Sequence, residues 1–445
     1  MPWYKDKTLW FIAAGALFIK LAGLLWLLYV NPLGEQALIF PDSLGYIYPA
    51  QTLLTYGHLW EAVSASPMLL RTPGYPVFLA WVQFCTANST WAVVIWQNLL
   101  SVVLLLPVYL TARRLGGILA ARWAAGLCAA SVLYYSLAFA ILTETLCVFF
   151  LAWFVYAAVR WLETLSGRDL AAAGVLLALA VYVRPAAYYF TALAVAGLIS
   201  WAWIKKSSLI LRQSILCFTL PLLLLIGAWQ VRNYVQTGYG GFTTVGAYNL
   251  YIWNEDYVAR QAGLSVDQAH QQLQAQLPEN WHELSAAQQV RAYKRLALPL
   301  IQQGWKYKLQ RGPLWAAKTL LGNNYTHLSQ LLFGRAPSPE DVLNHTGLWR
   351  TDLNHWLGKI IFIITGSAVL CIVLLSIWGG KILLQTHPAA ACFLIVYCGY
   401  FWAIGSVFFG AYARFRAPFE FVLCILAALA VTKKHAAPNR RTACN

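Results

Sequence analysis

Long apolar runs recur from one end of this chain to the other, and no other feature constrains its fold as tightly. A bilayer core takes about 20 apolar residues per helix, and backbone polar groups inside it must pair within the segment. Runs of this kind fall at approximately 9–30, 90–112, 118–139, 143–163, 169–183, 186–204, 209–230, 357–379, 389–409 and 417–432. The expected fold is an all-α polytopic membrane protein with about ten transmembrane helices. Composition agrees, with 60% of the 445 residues hydrophobic and 11% charged, against roughly 25% charged in a soluble domain. The first run follows Lys5 and Lys7 and lacks a small-residue cleavage site, so it reads as a retained helix.

Lys and Arg in short loops mark the cytoplasmic side. Arg113, Arg114, Arg160, Arg168, Lys205, Lys206 and Lys381 fall on one side, together with Lys5, Lys7 and the basic C-terminal residues. Both termini are expected there, and two long segments, 31–89 and 231–356, fall outside. The chain then divides into an N-terminal transmembrane module (1–230) carrying the external loop 31–89, an external segment (231–356), and C-terminal transmembrane helices (357–445). Helical patterning at Ser265 to Leu277 and Ser285 to Gln303 makes the external segment mostly helical. The net charge of +16 is scattered over helix ends and loops, which points to anionic lipid and phosphate rather than nucleic acid. Cys85, Cys128, Cys147, Cys217, Cys371, Cys392, Cys398 and Cys424 lie in or beside apolar runs without CxxC spacing, as small hydrophobes.

Chemistry is expected on the outer face. In Phe40-Pro41-Asp42-Ser43-Leu44-Gly45-Tyr46, Asp42 beside the bilayer suits a general base. It also stands where a helix N-cap belongs. The pieces Ser43 to Tyr56 and Pro76 to Cys85 read as amphipathic surface helices. Arg71, Arg184, Arg232, Arg414 and Arg416 sit at outer span ends, where guanidinium groups either bind phosphate bidentately or snorkel to water. Glu144 opens a span from outside and either caps that helix or faces the same cavity as Asp42. The external aromatics, Tyr248, Trp281, Trp305, Trp315 and Trp349 among them, are interfacial anchors or stacking faces for sugar. The external histidines His270, His282, His327, His345 and His355 lack metal-ligand spacing and read as surface residues.

Taken in order, these motifs resemble the C-type glycosyltransferase superfamily (GT-C), nearest its protein O-mannosyltransferase-like and lipid A aminoarabinose transferase-like families. The resemblance is carried by Pro41-Asp42-Ser43 with Tyr46 and Gly57, and by Arg71-Thr72-Pro73-Gly74-Tyr75-Pro76. Further along it includes Thr143-Glu144, Arg184-Pro185, Arg232-Asn233-Tyr234 and Ala413-Arg414-Phe415-Arg416-Ala417-Pro418, and it fades over 255–356. It implies inverting transfer of a monosaccharide from a polyprenyl-phosphate donor to an acceptor hydroxyl, at a bacterial inner membrane with the site facing the periplasm. Asp42 is then the base, and the five arginines hold the lipid phosphate. Tyr46, Tyr75 and Tyr248 contact substrate. Some relatives carry paired acids in this loop; here Ser43 follows Asp42, leaving Glu35, Glu61 or Glu144 as a second carboxylate. No cofactor or metal is expected. The acceptor would be an envelope glycan, a lipid, or an exported protein such as a pilin.

Two other classes compete. A lipid or solute transporter needs ionisable groups deep in its spans or broken helices in a repeat; neither is read here, and most of the charges lie at span ends. An O-antigen polymerase or ligase also faces outward and depends on arginine, but takes diphosphate-linked oligosaccharides.

Overall fold

The computed structural model describes residues 2–61, 66–334, 353–407 and 412–432. Among them the secondary structure is helical, apart from one isolated bridge between Trp60 and Pro67. The chain is a multi-pass membrane protein, as expected. Eight of the described helices are long and apolar enough to cross a bilayer. This is fewer than ten for two local reasons. The helix Gly167–Val183 has 17 residues, and the stretch Thr90–Ala129 is continuous although it holds two legs. Gly117 separates those legs at φ +79°, a conformation open to glycine. Beyond it the chain doubles back, so the Gln97 side-chain amide donates to the carbonyls of Ala138 and Ala140. The expected span 118–139 is itself two helices, because the chain breaks before Ser131, whose hydroxyl accepts from the Tyr134 amide.

In chain order the helices are α1 (Lys7–Tyr29), α2 (Leu44–Tyr56), α3 (Gly74–Cys85), α4 (Thr90–Val103), α5 (Leu105–Ala129) and α6 (Val132–Phe139). There follow α7 (Glu144–Thr164), α8 (Gly167–Val183), α9 (Tyr188–Ile204) and α10 (Ser208–Thr237). Beyond these lie α11 (Val245–Ile252), α12 (Glu255–Ala262), α13 (Val266–Ala275), α14 (Ala286–Leu321) and α15 (Tyr325–Phe333). The last three are α16 (Leu353–Thr386), α17 (Pro388–Val407) and α18 (Ala417–Thr432). The patterned starts at Ser265 and Ser285 are both capping boxes, in which Gln268 and Gln288 return a bond to the cap residue. Helices α11 to α14 share a small core of their own around Tyr251, Leu273 and Tyr293.

The last helix, α18, is buried over most of its length among the N-terminal helices and α16. Gly379 of α16 makes this possible, because a Cβ there would fall on the Leu426 carbonyl of α18. Close backbone approach is the usual use of small residues between membrane helices. Gly379→Ala should therefore force the pair apart and destabilise the fold by about 1–3 kcal/mol; an unchanged thermal midpoint in detergent would refute this.

Charged groups gather at the two ends of the bundle. At one end Asp6 binds Arg122 and the Tyr109 hydroxyl, Arg114 meets Glu163, and Arg160 meets Asp169. The site residues lie at the other end. Not every ionisable residue lies at a span end. Lys20, midway along α1, is buried with its amine 5.4 Å from the Tyr135 ring centre.

Candidate active site

Two sets of ties to backbone groups hold the turns that carry the site residues. The Ile141 amide donates to Leu38 O, and the Ser43 hydroxyl donates to Ile141 O at 2.8 Å while accepting from the Phe40 amide. This fixes the Asp42 loop against the turn leading into Thr143-Glu144. The Arg71-Thr72-Pro73-Gly74 turn is docked in turn on the end of α8. Thr72 donates to Val183 O, and Gly74 lies where a Cβ would come within 2.8 Å of the Tyr182 carbonyl. Thr243 donates to the carbonyls of Leu69 and Leu70, and Glu61 accepts from both of their amides. Glu61 is thus structural and supplies no second carboxylate.

These ties surround a cavity of about 920 Å³. Asp42, Tyr46, Arg71, Glu144, Arg184, Tyr248 and Arg414 all line it. Asp42 accepts from Arg71 at 2.8 Å on one oxygen and from Arg414 at 2.9 Å on the other. The N-cap reading of Asp42 is therefore overturned. Ser43 stands at the cap position of α2 and makes no side-chain cap bond, while the Asp42 carboxylate turns to the two arginines. Burial alone would raise the Asp42 carboxyl, but Arg414 and Arg71 outweigh it and hold the group below the usual carboxylate range. Behind this pair, Glu144 is buried and bound to Arg184 at 2.5 Å, and Arg184 also reaches the Thr143 hydroxyl. Glu144 lies in the first turn of α7, at the positive end of that helix, and lines the cavity; Thr143 holds the cap position without a side-chain cap bond, so of the two readings the cavity one describes Glu144. Of Glu35, Glu61 and Glu144, it is the one that lines the cavity with Asp42.

Three expected site residues lie elsewhere. Arg416 is almost fully buried, bound to Glu420 at 2.7 Å and donating to the carbonyls of Leu320 and Gly322. It ties the start of α18 to the end of α14, because alternate residues of the short turn Ala413–Arg416 point to different sides. Arg232 donates to Met68 O and the Asn233 side chain, lies over the Trp229 ring, and faces a separate cavity of about 320 Å³ beside Trp60. Tyr75 is fully buried, and its hydroxyl donates to Gln97. Its ring meets that of Tyr46, which lines the site, edge-on at 5.3 Å.

Other residues of the site escaped the motif reading. Tyr188 and Tyr189 enter from α9, and Phe401 and Ile404 from α17. Glu255, Asp267 and His270 line the side covered by the external helices, with His270 bound to Glu255 at 3.0 Å. His327 is not the surface residue expected: it stacks on Phe40 at 4.5 Å. Burial, reinforced by Arg414, pushes its imidazole down to about 4, so it stays neutral near pH 7. His345 and Trp349 lie outside the described residues, as do the side chains of His282 and His355. Among the described residues no group of three or more His, Cys, Asp or Glu is placed to hold a metal ion.

On the side of the Asp42 loop the cavity therefore offers a carboxylate at its wall, a second buried behind it, and three guanidinium groups around them, with Glu255 and Asp267 on the side of the external helices. That arrangement suits an anion and a hydroxyl nucleophile side by side. The sequence model of the dolichyl-phosphate-mannose-protein mannosyltransferase family matches residues 71–227. Over this segment the chain is similar to that family. The match bears out the GT-C resemblance and covers Arg71, Glu144 and Arg184 of the site. No curated protein sequence matches the chain. Among solved structures, the chain is similar to the oligosaccharyltransferase AglB from Archaeoglobus fulgidus in complex with an inhibitory peptide and a dolichol-phosphate. The TM-score is 0.47 at 14% identity, covering 97% of this chain and 51% of AglB, so the chain spans about half that protein's length. It is also similar to ArnT from Cupriavidus metallidurans, with a TM-score of 0.40 in the apo state and 0.36 bound to undecaprenyl phosphate. Both are at 14% identity and cover 95% of this chain and 78% of ArnT.

Proposed function

We propose that this protein transfers a monosaccharide from a polyprenyl-phosphate donor to an acceptor hydroxyl, with inversion, at the periplasmic face of a bacterial inner membrane. The observation that carries the reading is the carboxylate of Asp42 set between Arg71 and Arg414 on one cavity wall. The acceptor oxygen attacks the anomeric carbon while Asp42 takes its proton. The bond from that carbon to the phosphate oxygen breaks on the opposite face, and the lipid phosphate leaves as an anion. Arg414 and Arg71 are the groups placed to stabilise the charge that develops there. Glu144 keeps Arg184 oriented, and Tyr46 and Tyr248 bound the sugar. Catalysis resides in the N-terminal module with its loop 31–89, closed by the arginine that precedes α18. The external segment 231–356 selects the acceptor, an envelope glycan, a lipid or an exported protein.

A charge-assisted hydrogen bond to phosphate is worth about 1.5–3 kcal/mol. Arg414→Ala should accordingly weaken binding of a polyprenyl-phosphate sugar by about 10- to 150-fold, measured by titration of the detergent-solubilised protein. Unchanged affinity would remove the phosphate site. Turnover is proposed to need no metal, so EDTA should leave the rate intact. A loss that Mg²⁺ or Mn²⁺ restores would show that a metal takes part.

A further inference from the structure

Helix α14 carries seven Lys or Arg and no Asp or Glu in 36 residues. Charges of one sign along a single helix repel each other unless an anionic partner compensates them. One side of the helix is accounted for: Val290, Tyr293 and Ala297 are buried in the core shared with α11 to α13. The other side is open. Leu298, Trp305 and Leu309 are 56%, 54% and 69% exposed, and their spacings of seven and four place them on one face. Arg291, Lys294, Arg295 and Lys306 are also exposed; Arg291 lies seven residues before Leu298 and extends the same face. An apolar line edged by long basic side chains is the pattern of a helix lying in the headgroup layer, where Trp concentrates and Lys snorkels.

The far end of the helix sets its level. Seven residues beyond Leu309, the Ala316 carbonyl accepts from the Trp402 indole, and Thr319 donates to Gly405 O. Both partners belong to α17, which is long and apolar enough to span the membrane. The open face is thus the continuation of one that packs on a membrane helix. We propose that this face of α14 lies on the leaflet at the site-bearing end of the bundle and docks anionic phospholipid headgroups.

The test places benzoylphenylalanine at Leu309 in the full chain, reconstituted in nanodiscs of phosphatidylcholine alone or mixed with phosphatidylglycerol. Photolysis should give lipid adducts, several-fold more with phosphatidylglycerol. The excess should vanish in the R291E/K294E/R295E/K306E variant. If that variant does not fold, a salt series on the labelled wild-type sequence decides the matter, since screening should remove the same excess. Equal labelling in both lipids, an excess indifferent to salt or to charge reversal, or adducts to protein instead of lipid would each overturn the proposal. Protein adducts would mean that a second copy or another part of the chain covers the face.

Discussion

Asp42→Asn is expected to lower the rate of transfer by about 10²- to 10⁴-fold, the usual contribution of a positioned general base, while the protein still folds and binds donor. The amide keeps the shape of the side chain and can still accept one bond from Arg71 or Arg414, but it takes no proton from an attacking hydroxyl. The resting carboxylate lies between two guanidinium groups, which hold it ionised and make it a weak base. Donor phosphate that draws those arginines away would raise its proton affinity as the acceptor arrives. Single-turnover transfer from a polyprenyl-phosphate sugar, measured beside donor affinity, tests this. Wild-type turnover in the Asn variant would eliminate Asp42 as the base, and loss of donor binding with folding intact would assign it to binding instead.

Arg416→Ala should produce the opposite failure, a loss of fold rather than of donor affinity. The sequence pairs Arg414 and Arg416 as equals, but the structure separates them completely. Removing Arg416 leaves Glu420 as an uncompensated buried charge and takes a donor from the carbonyls of Leu320 and Gly322. Breaking a buried ion pair from one side costs about 3–5 kcal/mol, a large share of the stability of a typical domain. The measurable outcome is a lowered thermal midpoint and a poor yield of monodisperse protein. Whatever folds should bind donor as well as wild type does. A stable Arg416→Ala protein with weakened donor affinity would restore the sequence-based assignment and contradict the geometry.

Spans were legible in the sequence because the bilayer imposes a length and an apolar composition that local residues alone must meet. Hence α1, α7 and α9 lie close to their expected bounds. The misplaced boundary near 118–139 shows the limit of that reading. Hydropathy does not register that Gly117 turns the chain by adopting φ +79°, nor that Ser131 starts a new helix. The helical patterning from Ser265 and from Ser285 was legible because it is local, and the structure adds that each of these helices starts with a capping box. Lys20 escaped notice because a single charge hardly alters the mean hydropathy of a long run.

The candidate site divides along the same line. Fold class, the helical character of the described part of the outer segment, and the residues worth suspecting were readable from the sequence, since each depends on chemistry carried within a few positions. Which of them meet follows from packing between distant parts of the chain. Asp42, Arg71, Glu144, Arg184 and Arg414 converge because Ser43, Thr72 and Gly74 dock their turns on backbone carbonyls far away in the chain. Arg232 and Arg416 carry the same guanidinium but face other partners. Side-chain direction at a span end depends on helix phase and on what packs beside it, and no short motif encodes either.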